Sequence, residues 1–120
     1  MTITKKVIEN YAGIVESAQR DARAITQLTI ENPNIDLSDG YAIQDALRTR
    51  YLEGGDRLVG IKCGRTSKAK MSQMGVNEPG YGFLMRSMWQ PDGVVIALDG
   101  LVHPRVAAEI AFVLVSDLKG

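Results

Sequence analysis

The sequence has 120 residues, of which 45 % are hydrophobic and 23 % are charged, values typical of a soluble globular chain rather than a disordered or fibrous one. Fourteen Lys and Arg residues balance fourteen Asp and Glu residues, so no net charge attracts nucleic acid or an anionic membrane. No apolar run approaches the roughly 18 residues of a membrane-spanning helix, and the N-terminus has no secretory pattern. The single cysteine excludes an internal disulfide and fits a reducing cytoplasm.

The first third of the chain has a helical pattern. Apolar residues recur three and four positions apart from Val7 to Leu28, with Lys, Glu, Gln and Arg between them. We therefore predict one helix with Thr4 as its N-cap, ended by the Asn-Pro-Asn segment at residues 32–34.

A second helix, a strand and a short helix are predicted next. The second helix starts after Asp36 or Ser38 and ends at residues 54–55, which are both glycine. Residues 57–63 have the pattern of a strand. A short helix at residues 67–74 is capped by Ser67 and closed by Gly75, and residues 83–85 are extended.

The last third is predicted to contain two turns and a long strand. Pro91-Asp92-Gly93 and Asp99-Gly100 are turn signals, and residues 105–115 form the strand. This strand is short of partners, because a parallel or mixed sheet needs more elements. Either a small domain completes its sheet by dimerising, or the sequence is the first half of a longer fold; we favour the second.

Two charged residues interrupt apolar strand patterns, Lys62 and Glu109. A buried lysine can take part in proton transfer or hold an anionic substrate, and a buried glutamate needs an ion-pair partner or a metal ion. The alternative is that the two residues pair with each other or extend to solvent from an edge strand.

Neighbouring residues leave further alternatives open. On a strand, residues 107 and 109 share a face, and two glutamates there would direct two carboxylates at one cation; position 107 is alanine. Arg65, Thr66 and Ser67 could bind a substrate carboxylate, or could cap the following helix.

Five blocks, in order along the chain, resemble one known family. They are DGYAIQ (39–44), VGIKCGRTSKA (59–69), MGVNEP (74–79), YGFL (81–84) and HPRVAAEIAFVL (103–114). The sequence resembles the 2-keto-4-pentenoate hydratase and 4-oxalocrotonate decarboxylase family, within the fumarylacetoacetate hydrolase superfamily, from about residue 28 onward.

The resemblance implies a lyase of aromatic meta-cleavage catabolism that uses Mg²⁺ or Mn²⁺ and acts on short unsaturated 2-oxo or 2-hydroxy acids. The family's active-site lysine matches Lys62, and the second of its two strand glutamates matches Glu109, a metal ligand. Some of these motifs are more similar to the decarboxylase branch of the family, whose reaction converts 2-oxohex-3-enedioate to 2-hydroxypenta-2,4-dienoate and CO₂. The alternative is a 2-hydroxypenta-2,4-dienoate hydratase. Substrate contacts are predicted for Arg65 and Ser67.

The resemblance also implies an α+β fold in which N-terminal helices (residues 1–56) precede the first, incomplete part of a mixed β domain (residues 57–120). Family chains are about twice as long, and Ala107 stands where the family has its first strand glutamate. A non-catalytic family fragment is therefore an alternative to an enzyme. We expect a homo-oligomer or a complex with a related hydratase or decarboxylase, and neither a nucleic acid nor a membrane as a partner.

Overall fold

The computed structural model describes residues 2–119 of the protein. Along the chain, three helices come before one small sheet, and a fourth helix lies between its two strands. In chain order the helices and strands are α1 (Lys5–Arg20), α2 (Leu28–Glu31), α3 (Leu37–Glu53), β1 (Leu58–Gly64), α4 (Lys68–Met74) and β2 (Gly80–Met85). Single 3₁₀ turns follow at Arg86–Met88 and Leu98–Gly100. Met1 and Gly120, the outer limits of the two predicted regions, lie outside the described residues. None of the helices within residues 2–119 has the length and apolar character needed to cross a membrane.

The hydrophobic core lies between α1 and α3. Its buried members are Ile8, Tyr11 and Ala12 of α1 and Ile43 of α3. The three-and-four spacing of the apolar residues places them on one side of α1, as the sequence predicted. Partly buried side chains surround this cluster, among them Leu28 of α2.

The prediction of a single helix from Val7 to Leu28 is wrong, because the chain leaves the helix after Arg20. Ala22 has a positive φ of 48°. The backbone N–H of Ala22 donates to the carbonyl of Gln19, and that of Arg23 donates to the carbonyl of Ala18. This is a Schellman C-cap, which normally has glycine at the left-handed position. An alanine there gives no sequence signal for the end of a helix.

The other predicted helix boundaries are confirmed. Thr4 caps α1, and Asp36 caps α3 in a capping box with Asp39. Ser67 caps α4 by accepting a hydrogen bond from the backbone N–H of Lys70. Gly75 ends α4 with a left-handed φ of 67°, which favours glycine.

A buried carboxylate attaches the start of the chain to α3. Asp39 has no exposed surface and accepts hydrogen bonds from the backbone N–H groups of Thr2, Ile3 and Asp36. The hydroxyl of Thr2 also donates to it. Burial raises the pKa of Asp39, but these hydrogen bonds outweigh burial and lower the pKa from 3.8 to about 2.

The sheet has two antiparallel strands, β1 and β2, and α4 lies in the connection between them. α3 packs along β2: the rings of Tyr41 and Tyr81 stack at 4.7 Å, and the Arg48 guanidinium lies 4.4 Å from the centre of the Phe83 ring. The structure confirms the predicted α+β class, since it has helices and a small antiparallel sheet.

The prediction of a strand over residues 105–115 is wrong. Residues 104–114 form neither helix nor strand, and the apolar side chains at residues 106 and 112 are 100 % and 87 % exposed. A strand exists only where a second strand completes its hydrogen bonds, and no described segment pairs with this one. The β-branched and aromatic residues of the segment favour an extended conformation, but they cannot supply the partner strand.

Candidate active site

Lys62 lies at the centre of β1, on a surface that is otherwise formed largely by glycine. Residues directly opposite each other in an antiparallel pair share a face, and Lys62 is paired with Gly82. We call this surface the lysine face; it consists of Gly60, Lys62 and Gly64 of β1 and their partners Leu84, Gly82 and Gly80 of β2. Four of these six residues are glycine, which lets other side chains approach the backbone closely. Leu84 lies against Gly60, Arg65 against Gly80 and Gln44 of α3 against Gly82.

The structure brings Lys62 and Glu109 together, as the sequence suggested for the two charged positions. The Nζ of Lys62 donates a hydrogen bond to Oε1 of Glu109 at 2.6 Å. The side chains are 49 % and 60 % exposed. The pair is therefore an exposed ion pair, and a carboxylate can reach Lys62 on this face without being buried.

The described residues do not form a complete metal site around Glu109. Hard divalent cations such as Mg²⁺ take about six oxygen ligands, usually with more than one carboxylate. Position 107 has no carboxylate, and residues 2–119 contain no group of three or more His, Cys, Asp or Glu side chains that could hold a metal ion. Glu109 alone supplies at most one carboxylate, and that group is bound to Lys62.

Arg65 follows β1 directly and extends over β2. Its φ of 57° is uncommon for a residue with a side chain. A Cβ atom added to Gly80 would lie 2.2 Å from Nη2 of Arg65, so the guanidinium occupies the space that a larger residue at position 80 would fill. Arg65 also lines a cleft of about 370 Å³ between the start of α3 and the loop after α4. The other lining residues are Leu37, Tyr41, Gly75, Val76, Asn77, Glu78 and Pro79.

Ser67 has a structural role that the sequence left open as an alternative. Its hydroxyl oxygen accepts the hydrogen bond that caps α4 from the backbone N–H of Lys70, which uses one of its two lone pairs. Neither Ser67 nor Lys62 lines the cleft beside Arg65.

Sequence reasoning missed the glycines and the α3 side chains that shape this region. A Cβ atom on Gly82 would lie 3.5 Å from Oε1 of Gln44, and the Nε2 of Gln44 is buried without a hydrogen-bond partner in the described part of the chain. The available signal was glycine at alternating strand positions, 80 and 82, which marks a close approach of another group to the backbone.

Fold and site together define an α+β chain in which a lysine and an arginine lie beside the glycines of a two-stranded sheet, and both residue types can bind small anions. The chain is 40 % identical over 119 residues to a 4-oxalocrotonate decarboxylase from Pseudomonas sp. (strain CF600), which covers 99 % of this chain and 45 % of that protein. It is 41 % identical over 113 residues to the TodF product hydratase from Pseudomonas putida F1, covering 94 % of this chain and 42 % of the relative. No protein-family model matches.

Two solved structures of 4-oxalocrotonate decarboxylase from Pseudomonas putida G7 share the fold. One is complexed with calcium and acetate and has a TM-score of 0.83; the other is complexed with magnesium and adipate and has a TM-score of 0.82. Both are 37 % identical in sequence and cover 85 % of this chain and 39 % of theirs. The predicted resemblance is confirmed: the chain is related in sequence and fold to the 4-oxalocrotonate decarboxylases and 2-keto-4-pentenoate hydratases. It spans less than half the length of the relatives it matches.

Proposed function

We propose that the chain is part of a lyase that acts on short unsaturated 2-oxo or 2-hydroxy acids of aromatic meta-cleavage catabolism. The reaction is the decarboxylation of 2-oxohex-3-enedioate to 2-hydroxypenta-2,4-dienoate and CO₂. The single observation that supports this most strongly is the position of Lys62, whose half-exposed ammonium group on the lysine face binds the Glu109 carboxylate at 2.6 Å. The decarboxylase relatives and solved structures support the same reaction.

In this reaction the bond between C5 and the distal carboxylate carbon breaks and CO₂ leaves. The electron pair moves through the conjugated C3–C4 double bond to the 2-oxo oxygen, and one proton completes the 2-hydroxy product. The Lys62 ammonium donates a hydrogen bond to this oxygen as negative charge develops on it, and supplies the proton. Arg65 and Ser67, at the end of β1 and the start of α4, are proposed to contact substrate.

We also propose a divalent cation, Mg²⁺ or Mn²⁺, as the cofactor of this reaction. When bound, it would polarise the carbonyl group of the 2-oxo acid. Two solved decarboxylase structures are complexed with calcium and with magnesium, which supports a divalent cation in this proposal. The described residues of this chain do not fit a complete site, since Glu109 is one carboxylate and position 107 has none. The steps above are therefore assigned to the chain's own side chains.

The test is an ultraviolet assay with 2-oxohex-3-enedioate and Mg²⁺. We expect loss of substrate and appearance of the dienoate, and at least a 100-fold lower rate in Lys62→Gln, because positioned acid–base groups contribute about 10²–10⁴ in rate. Lys68→Gln is the matched control, since Lys68 is an exposed lysine of α4. No turnover by this chain, with or without the Ala107→Glu change, would leave the non-catalytic fragment as the better interpretation.

Hydration of 2-hydroxypenta-2,4-dienoate is a second candidate. The chain is as similar to the TodF product hydratase as to the decarboxylase from strain CF600, 41 % against 40 % identity. The same assay separates the two reactions: a hydratase consumes the dienoate and leaves 2-oxohex-3-enedioate unchanged.

Association with another protein chain in the cytoplasm is also part of the proposal, either as a homo-oligomer or as a complex with a related hydratase or decarboxylase. Exposed apolar surface in residues 106–118 supports it. Five side chains there are at least 86 % exposed: Val106, Ile110, Phe112, Val113 and Val115. Light scattering after gel filtration, alone and mixed with a full-length relative, measures the association; a monomer under both conditions contradicts it.

A further inference from the structure

Asp39 is a buried carboxylate without a cationic partner in the part of the chain that the structure describes. Its side chain has no exposed surface, and no Lys, Arg or His of residues 2–119 forms an ion pair with it. An aspartate is rarely fully buried unless a cation pairs with it. The hydrogen-bond donors around Asp39 are backbone N–H groups and one hydroxyl, which carry no net charge.

Both oxygens of this carboxylate contact the backbone nitrogen of Thr2. That nitrogen lies 2.9 Å from Oδ1 and 3.1 Å from Oδ2 of Asp39. A peptide nitrogen has a single hydrogen, which the two acceptors have to share, whereas an ammonium group has three. An ammonium group at this position would give each oxygen its own hydrogen bond. Thr2 as a residue is exposed, so water can solvate the third hydrogen.

Thr2 carries such a group once Met1 has been removed. Methionine aminopeptidases hydrolyse the first peptide bond of a chain when the second residue has a small side chain, and threonine is in this class. Water supplies the oxygen of the new methionine carboxylate and the two hydrogens that convert the Thr2 amide nitrogen into an α-ammonium group. This group is charged at neutral pH.

We infer that Met1 is removed from this protein and that Asp39 binds the resulting α-ammonium group of Thr2. The hydroxyl of the same residue donates to Oδ2 of Asp39 at 2.5 Å, so Thr2 contacts the carboxylate with both of its donor groups. Ile3, the next residue, packs against the core between α1 and α3. The ion pair therefore holds the segment that leads into α1, and it is independent of the proposed reaction.

The first test is the intact mass of the 120-residue chain purified from a bacterium. We expect the mass to be lower than that of the full sequence by one methionine residue, with threonine first in N-terminal sequencing. Thr2→Gln is the control, since its larger side chain blocks hydrolysis and should keep Met1 in place. A protein that keeps Met1, or that has residues before it, would overturn the inference.

The second test compares the processed chain with the chain that keeps Met1, prepared from cells in which methionine aminopeptidase is inhibited. Both forms have the same net charge and differ in the position of the ammonium group. We expect the equilibrium constant of urea unfolding to be about tenfold smaller for the processed chain, because charge-assisted hydrogen bonds are roughly twice as strong as neutral ones. Asp39→Asn should abolish this difference, and Asp45→Asn, at an exposed position of α3, should keep it.

A measurement on the unchanged protein keeps the test decisive if Asp39→Asn does not fold. Acetic anhydride reacts with an amine only in its uncharged form, and an adjacent carboxylate favours the charged form by about tenfold or more. Thr2 of the processed chain should therefore be acetylated at least about tenfold more slowly in the folded state than in urea. Lys6, which is exposed, should react at similar rates in both.

Three results of these measurements contradict the binding of the ammonium group by Asp39. They are equal stability of the two forms, an equal difference between the forms in Asp39→Asn, and acetylation of Thr2 at one rate in both states. None of these readouts needs turnover, so they are separate from the test of the proposed reaction.

Discussion

Nζ of Lys62 lies 2.6 Å from Oε1 of Glu109, 47 positions away in the sequence, and the pair is half exposed. The proposed general acid and the proposed metal ligand are therefore bound to each other. A substrate carboxylate or a cation that enters this surface has to compete with an interaction already present. An exposed ion pair is weak enough for such competition, at about 0.2–1 kcal/mol.

This weakness predicts a small effect on stability when the pair is broken. Glu109→Gln should lower the free energy of unfolding by less than about 1 kcal/mol, since water solvates the released ammonium. Urea unfolding at low and high salt measures it, and the difference from the unchanged protein should shrink as salt screens the pair. A loss of several kcal/mol would mean that Lys62 becomes buried without its partner.

Adding a carboxylate at position 107 should increase the affinity for a divalent cation. Ala107→Glu adds a second negatively charged oxygen ligand close to Glu109, and affinity for hard cations rises with ligand charge and number. Titration with Mn²⁺ followed by electron paramagnetic resonance should give a dissociation constant at least tenfold lower than in the unchanged protein. Ala108→Glu is the matched control; an equal gain there would indicate a general charge effect.

The hydrogen bonds of Asp39 predict a specific dependence of stability on pH. Its pKa is about 2 in the folded protein, below the ordinary value of 3.8. Its contribution to stability is therefore complete above about pH 4 and is lost as the pH falls towards 2. Thermal unfolding should show that Asp39→Asn lowers the melting temperature at pH 7 and flattens its decrease between pH 4 and 2. Asp92→Asn, in an exposed turn, should leave both unchanged.

The C-cap of α1 predicts a stabilising glycine substitution. Ala22 is held at a φ of 48°, a conformation that costs a residue with a side chain about 1–2 kcal/mol, whereas glycine adopts it freely. After the larger chain entropy of unfolded glycine is subtracted, Ala22→Gly should stabilise the protein by about 0.5–1 kcal/mol in urea unfolding. Ala69→Gly, within α4, should destabilise it by about 1 kcal/mol.

Burial predicts the largest loss in the core between α1 and α3. Ile43→Ala should lower the free energy of unfolding by about 2–5 kcal/mol, because Ile43 is 6 % exposed and its removal leaves a cavity. Ile30→Ala, at a residue that is 68 % exposed, should change it by less than about 0.5 kcal/mol. Similar losses for the two variants would contradict this assignment of the core.

Local chemistry made much of the fold predictable from the sequence. Asp36, Ser67 and Gly75 mark helix ends because a side-chain acceptor or a left-handed glycine satisfies backbone groups that the helix leaves unpaired. The end of α1 was missed because Ala22 adopts a glycine conformation. The strand predicted at residues 105–115 is wrong for another reason, since strand formation requires a partner that the described chain does not provide.

The sequence by itself determined the helices around the core, the strand that contains Lys62, and the family resemblance, because periodicity, capping and ordered motifs are local properties. It singled out Lys62, Glu109 and Arg65 as residue types suited to anion or metal chemistry. Only the tertiary structure decided that Lys62 pairs with Glu109, and that Arg65 extends over Gly80 onto the lysine face. Those relationships depend on strand register and on the path of the chain after β2, which join residues far apart in the sequence.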